Sequence, residues 1–139
     1  VTIEFDYRRE GLRTGKIIFR PVAKVYLRRV DGEWIAEYFY VDSGADYTLI
    51  PYRMGQFLGL NSIATEVKEI GGIGGVIGVK LAIVPMRIGD YQFDCSIAWA
   101  QIERVPFLLG REGVFEHFEI TFRQKARKVT FIQVRYQEF

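Results

Sequence analysis

The residues best suited to chemistry lie in one short segment, Asp42-Ser43-Gly44, within the stretch YFYVDSGADYTLIP. Strand-forming residues, Tyr38–Val41, precede the acid, and the apolar pair Leu49-Ile50 follows it. These neighbours predict a buried turn, where an unpaired carboxylate is costly. An acid held there indicates a functional site, and general acid–base catalysis is its natural chemistry. The alternative is an ordinary turn, because Asp, Ser and Gly are common turn residues.

Composition restricts the other kinds of site. The 139 residues are 49% hydrophobic, which is enough for one compact core, so we expect one domain over residues 1–139. A single cysteine, Cys95, and a single histidine, His117, leave too few ligands for a typical zinc site, and we expect neither a metal nor a cofactor. Cys95 has the setting of a small buried residue within a strand. His117 has no Ser or Cys nucleophile motif to serve as a base.

The charge balance indicates no particular partner. Nineteen basic and 17 acidic residues give a net charge of +2, which is weak for binding a phosphate backbone, so no nucleic acid is expected. The basic pI and the 15% aromatic content keep a nucleic-acid-binding β domain as a minor alternative. No apolar run approaches the roughly 18 residues of a membrane span, and no signal-peptide core is visible, so we expect a cytoplasmic location.

The pattern along the chain is that of an all-β protein. Apolar and polar residues alternate over residues 1–7, 24–30 and 128–134, which predicts strands with one buried face. Asp31-Gly32 and Gly89-Asp90 are two-residue hairpin turns by composition. Helix signals are limited to a segment from Pro51 to Leu60 and another from Arg111 to Phe118.

The segment EIGGIGGVIG, Glu69–Gly78, has five glycines in ten residues. Phosphate-binding loops run from a strand into a helix, whereas strand-like residues lie on both sides here. The context therefore favours a mobile hairpin tip over a nucleotide-binding loop.

Three segments together resemble the retropepsins, the retroviral-type aspartic proteases. Val-Asp-Ser-Gly-Ala-Asp, residues 41–46, resembles their active-site loop, the glycine-rich segment resembles their flap, and Phe107–Arg111 resembles the apolar-apolar-Gly-Arg segment before their short helix. All three occur in the family's order. The resemblance implies a closed barrel of antiparallel strands with one or two short helices.

The resemblance also implies roles for individual residues. Asp42, Ser43 and Gly44 would form the catalytic loop, with Asp42 as the catalytic acid. Substrate would contact residues of the loop and of the flap, namely Ala45, Asp46, Ile70, Gly71, Gly72, Ile73 and Gly74. Asp46 would pair with Arg111, either as a purely architectural ion pair or with a direct role toward substrate. The flap has an alternative as an ordinary flexible turn.

One copy of this chain would be half an enzyme. Carboxylate-catalysed peptide hydrolysis needs two acids, and no other aspartate is followed by Ser-Gly or Thr-Gly. We therefore expect a homodimer whose twofold axis passes between two Asp42 side chains, acting on peptide or protein substrates. The main alternative is an inactive module that keeps the fold and binds peptide.

Some features depart from the retroviral pattern. The chain continues from Glu119 to Phe139 with what is predicted to be a further hairpin, and about twenty residues precede the first matching strand. The dimer contact therefore need not be the retroviral one. Tyr47, a bulky residue after Asp46, is a second departure and bears on the shape of the pocket.

Overall fold

A computed structural model describes residues 2–72 and 75–134. Within those ranges it contains one α-helix, α1 (Tyr52–Leu58), a 3-10 turn at Leu60–Ser62, and twelve strands. The strands are β1 (Thr2–Asp6), β2 (Arg8–Gly11), β3 (Ile17–Arg20), β4 (Val22–Arg28), β5 (Trp34–Val41), β6 (Thr48–Ile50), β7 (Val67–Gly72), β8 (Gly75–Ile88), β9 (Tyr91–Ala100), β10 (Leu108–Leu109), β11 (Phe118–Arg123) and β12 (Lys128–Gln133).

Six strands form a closed barrel. They follow the order β4-β5-β10-β6-β9-β8, and β8 pairs with β4 to complete the ring. Most pairings are antiparallel, but β10 runs parallel to β5, and β6 runs parallel to β9. The predicted all-β closed barrel is confirmed. The short strand β10 lies between β5 and β6, so it holds the two ends of the Asp42 loop side by side.

The barrel interior is filled by the inward residues of alternating strands. In β4, for example, Val25 and Leu27 are fully buried while Arg28 is exposed. Helix α1 covers one end of the barrel, where the Trp99 indole N–H donates to the Tyr52 carbonyl at 2.9 Å. Gly55 permits this contact, because a Cβ there would lie 2.1 Å from the indole nitrogen. Among the described residues, no helix has the length and hydropathy needed to cross a lipid bilayer.

Two smaller sheets flank the barrel. Strands β1, β12 and β11 form a three-stranded antiparallel sheet whose Phe131 belongs to the same buried cluster as the barrel core. The pair β11–β12 is the additional hairpin predicted near the end of the chain. Strands β2 and β3 form a separate hairpin that precedes β4.

The predicted turns and helices are only partly present. The Gly89-Asp90 turn joins β8 to β9 as predicted, and the first helix is present but shorter, ending at Gly59 with a φ of 84°. The loop around Asp31-Gly32 is longer than two residues, since the Arg29 N–H donates to the Glu33 carbonyl across it. Residues 112–117 form successive turns after a bend at Arg111, instead of a helix. Gly113, with a φ of 78°, interrupts the helical backbone there.

Candidate active site

Asp42 is the first residue after β5, and its backbone is tied to β10. Its N–H donates to the Leu109 carbonyl at 3.1 Å, and the Val41 N–H donates to the Pro21 carbonyl at 3.0 Å. The position of the acid is therefore fixed by backbone hydrogen bonds on both sides of β5. Strand β5 ends here because residues 42–47 turn back before β6 begins.

The carboxylate also organises its own turn. The Gly44 N–H donates to Asp42 Oδ1 at 2.9 Å, and the Ala45 N–H donates to the Asp42 carbonyl at 3.2 Å. In the described part of the chain, Asp42 Oδ2 accepts no hydrogen bond from another residue, so one oxygen orients the side chain and the other is available. A Cβ at position 44 would lie 3.3 Å from Oδ1, which makes glycine the best fit for this close approach.

The turn is more open than its neighbours in the sequence predict. Asp42 is half-buried in the single chain, and Ser43 and Gly44 are exposed. The expectation of a buried turn is therefore wrong for one copy of the chain. The flanking residues Val41, Leu49 and Ile50 are indeed buried, Val41 and Ile50 in the barrel core and Leu49 in a smaller apolar cluster on the other face of β6, but the turn itself is not covered.

A second set of backbone hydrogen bonds joins the loop to the segment after β10. The Arg111 N–H donates to the Ala45 carbonyl at 2.9 Å, and the Glu112 N–H donates to the Asp46 carbonyl at 2.8 Å. Next to these two bonds, the Gly110 N–H donates to the hydroxyl of buried Thr48 at 3.1 Å. A Cβ on Gly110 would lie 2.2 Å from the Tyr47 carbonyl oxygen, so only glycine fits this position without backbone movement.

Asp46 and Arg111 are brought together, though without the predicted ion pair. Both line a cleft with Tyr47 and Phe115, but no ion pair among the described residues joins the two side chains. Their segments are joined through the backbone instead, because the loop carbonyls accept from the N–H groups of Arg111 and Glu112. The exposed Asp46 side chain is left facing solvent.

A second cleft, of about 430 Å³, borders Asp42 directly. Its walls are partly apolar, from Val41, Pro106 and Leu108, and partly polar, from Glu10, Arg20 and Tyr40. The polar residues were not identified from the sequence. Glu10 and Arg20 come from the β2–β3 hairpin, and only the fold brings them to Tyr40, so no local pattern could have indicated them.

Tyr40 fastens that hairpin to the strand that carries Asp42. Its hydroxyl donates to Glu10 Oε2, and the guanidinium carbons of Arg8 and Arg20 lie 5.5 and 5.9 Å from its ring centroid. The hydrogen bond to the Glu10 carboxylate, together with burial, raises the pKa of Tyr40 above its usual value. The phenol therefore remains protonated and continues to donate at neutral pH.

The glycine-rich segment is a hairpin of β7 and β8, as expected. Ile70 pairs with Ile77, Gly71 with Val76 and Gly72 with Gly75. Ile73 and Gly74, two of the predicted substrate contacts, lie outside the described residues. Ile70 and Ile77 pack against a small apolar cluster that also contacts Leu108, which forms one wall of the cleft beside Asp42. The base of the hairpin therefore adjoins the candidate site.

Cys95 and His117 have structural surroundings away from Asp42. Cys95 is fully buried as predicted, and burial raises the pKa of its thiol to about 12. The ring of His117 packs against Phe93, and its Nδ1 lies 2.8 Å from the Tyr91 hydroxyl. Within the described residues, no group of three or more His, Cys, Asp or Glu side chains could hold a metal ion.

Comparisons with known proteins identify the fold. No family model and no curated protein matches the sequence. Among solved structures, a retropepsin-like aspartic protease from Rickettsia conorii is 16% identical, with a TM-score of 0.61 over 94% of this chain and 91% of that one. The EIAV protease, solved with a bound inhibitor, is 19% identical, with a TM-score of 0.50 over 73% of this chain and 88% of that one. The resemblance suggested by the three motifs is thus confirmed at the level of structure, and the chain has the retropepsin fold.

Proposed function

We propose that this protein is an aspartic endopeptidase, built from two copies of the chain, that hydrolyses peptide bonds in extended substrates. The observation that carries the proposal is the placement of Asp42-Ser43-Gly44. In a barrel with the retropepsin fold, the triplet directly follows β5, with Asp42 half-exposed beside a cleft. Both solved structures described above are proteases by name, and the one from Rickettsia conorii is named an aspartic protease.

A second copy is needed because one chain supplies one acid of this kind. Asp31 and Asp90 lie in hairpin turns between barrel strands, and Asp94 lies within β9, so none of them can face Asp42 from a matching loop. The exposure of Ser43 and Gly44 in the single chain is consistent with a surface that a second copy covers. In such a dimer the twofold axis passes between two equivalent Asp42 carboxylates.

The chemistry follows from the closeness of the two carboxylates. Two acids about 3 Å apart cannot both ionise readily, so the pair retains one proton. The ionised member takes a proton from water as the water attacks the carbonyl carbon, and the protonated member donates to the carbonyl oxygen, which gives a tetrahedral diol. When the diol collapses, the C–N bond breaks, the proton taken from water passes to the leaving nitrogen, and a hydroxyl proton of the diol returns to the pair. The Gly44 N–H, which donates to Asp42 Oδ1, would fix the orientation of the reacting carboxylate. We expect a mildly acidic rate optimum, since cleavage requires the singly protonated pair.

The β7–β8 hairpin would cover the substrate. Its apolar residues Ile70 and Ile77 adjoin the cleft wall through Leu108, and glycines near its tip permit a change of backbone conformation at little cost. An extended peptide beneath it would form strand-like main-chain hydrogen bonds and place alternate side chains in the clefts. Exclusion of water around the dyad would then favour charge development at the scissile carbonyl.

The proposal is tested by comparing the wild type with Asp42→Asn on a peptide library between pH ~4 and ~7, the range expected for the dyad. Cleavage should fall at least about a thousandfold in the variant, as expected for loss of the acid–base function. Asp90→Asn is a matched control, because Asp90 lies in an exposed turn whose conformation Asn also accepts. Equal cleavage by wild type and Asp42→Asn would contradict the proposal. Peptide that binds to the wild type but is never cut would indicate the inactive binding module.

A further inference from the structure

The cleft beside Asp42 carries charged groups that an apolar peptide pocket does not need. Glu10 and Arg20 reach it from the β2–β3 hairpin, and they line it together with the apolar residues Pro106 and Leu108. The ion pair between Arg20 Nε and Glu10 Oε1 spans 3.0 Å. The hairpin therefore contributes one negative and one positive side chain to the lining of the cleft.

The carboxylate of Glu10 is already fully engaged. Its Oε1 faces Arg20, while its Oε2 accepts from the Tyr40 hydroxyl and lies 4.0 Å from Arg8 Nη1. Only 22% of its side chain is exposed. Glu10 therefore has little capacity left to attract a basic group from a substrate.

Arg20, by contrast, has unused donors. Half of its side chain is exposed, and its Nε lies 3.0 Å from Glu10 Oε1. No other group in the described part of the chain accepts a hydrogen bond from its two terminal nitrogens. Arg8 does not line the cleft, but its Nη1 lies 4.0 Å from Glu10 Oε2, so two guanidiniums share one carboxylate and this group of the β2–β3 hairpin has an excess of positive charge. A planar guanidinium with free N–H groups is well suited to a carboxylate.

We propose that Arg20 makes this cleft selective for an acidic substrate side chain, so that peptides with Glu or Asp near the scissile bond are preferred over their amide counterparts. This inference rests on the proposed peptidase function. Glu10 and Tyr40 are positioning residues, because they orient Arg20 and fasten the β2–β3 hairpin to the strand that carries Asp42. The apolar residues Val41, Pro106 and Leu108 accommodate the aliphatic part of the same side chain.

The test uses peptide pairs that differ only by Glu or Gln, placed in turn at each position around the scissile bond and assayed at pH ~6, where a free Glu is ionised. At one position the wild type should show a ratio of kcat/KM for Glu over Gln of about five, the effect of a partly exposed ion pair. Arg20→Gln should bring that ratio to about one. Added salt should also reduce it in the wild type.

Two further variants separate charge recognition from folding. Glu10→Gln removes the competing carboxylate and should raise the Glu-over-Gln ratio above that of the wild type, a change that a damaged fold would not produce. Arg123→Gln is the matched control, since Arg123 is a similarly exposed arginine on the distant β11 strand, and its ratio should equal that of the wild type. A wild-type ratio of one at every position, or a ratio that survives in Arg20→Gln, would overturn the inference. Absence of any cleavage by the wild type would instead contradict the proposed function itself.

Discussion

The Asp42 loop and the glycine-rich hairpin are built in opposite ways, although we assign both to one site. The loop is held to the segment around β10 by four hydrogen bonds, from the N–H groups of Asp42, Gly110, Arg111 and Glu112. Beyond Ile70 and Ile77, the described residues of the hairpin pair only with each other, Gly71 with Val76 and Gly72 with Gly75, and Val76 is 62% exposed. One region is fixed on several sides, and the other is attached chiefly at its base.

The difference matches the demands of the proposed chemistry. Two carboxylates from separate copies must meet within hydrogen-bonding distance, which requires loops whose backbone does not move. A cover must instead open for substrate and close over it, which requires few fixed contacts. The glycines illustrate this division. Gly110 permits close backbone packing, whereas Gly71 has open space around it.

The largest expected effect comes from testing these two glycines with the same substitution. Gly110→Ala would place a Cβ 2.2 Å from the Tyr47 carbonyl oxygen, and the backbone must shift to relieve the clash. We expect a loss of about 3 kcal/mol in the free energy of unfolding. A Cβ at Gly71 meets nothing within 4 Å, so Gly71→Ala should change stability by no more than about 1 kcal/mol. Denaturant unfolding measures both, and equal losses would remove the contrast between the regions.

A smaller effect should appear in catalysis when the hairpin loses apolar cover. Ile70 is half-buried against the cluster that includes Leu49 and Leu108, so Ile70→Ala should lower kcat/KM about tenfold while reducing stability by about 1 kcal/mol. Val67→Ala is the control from the same strand, because Val67 is 56% exposed. Steady-state kinetics on one peptide would measure kcat/KM for both variants and the wild type. Equal kinetics for the two variants would show that the hairpin does not cover the substrate.

The smallest effect concerns Cys95, a buried residue next to Gly113. A Cβ added to Gly113 would lie 3.2 Å from the Cys95 Sγ. Burial raises the pKa of this thiol from its ordinary value of 9.0 to about 12. The folded protein therefore keeps the thiol protonated, and its contribution to stability is present below pH ~9 and is lost as pH rises toward ~12. We expect a thiol reagent at pH 8 to react at the rate of unfolding. Rapid reaction of the folded protein would show that this region opens locally.

The sequence predicted the features that depend on local pattern. The β strands, the Gly89-Asp90 turn, the glycine-rich hairpin and the last hairpin follow from alternation and turn chemistry, whereas the closed barrel was implied by the resemblance to the retropepsins. The second helix was predicted from a segment containing Gly113, whose positive φ breaks the helical backbone. A prediction from composition could not distinguish a glycine inside a helix from one that ends it.

The features that were missed depend on contacts between distant residues. Tyr40 and Glu10 are thirty positions apart, and only the fold places the β2–β3 hairpin against the end of β5. The exposure of Asp42 was missed for a related reason. Burial was inferred from neighbours in sequence, but the side chains of Val41 and Ile50 are buried in the barrel core while Ser43 and Gly44 of the turn are exposed. The Asp46–Arg111 ion pair was implied by the resemblance to the retropepsins, whereas the two segments are joined through backbone groups.

The central claim, that two chains share one catalytic pair, is tested most directly by an isolated mixed dimer. Wild-type and Asp42→Asn chains with different affinity tags would be co-expressed, purified through both tags, and assayed for peptide cleavage beside a mixed dimer of wild type and Asp90→Asn. We predict that the Asp42→Asn mixed dimer cleaves peptide at least about a hundredfold more slowly than the wild-type dimer, because one remaining acid cannot act as both base and acid. The Asp90→Asn mixed dimer should keep full activity. Half or more of the wild-type rate in the Asp42→Asn mixed dimer would contradict the shared pair.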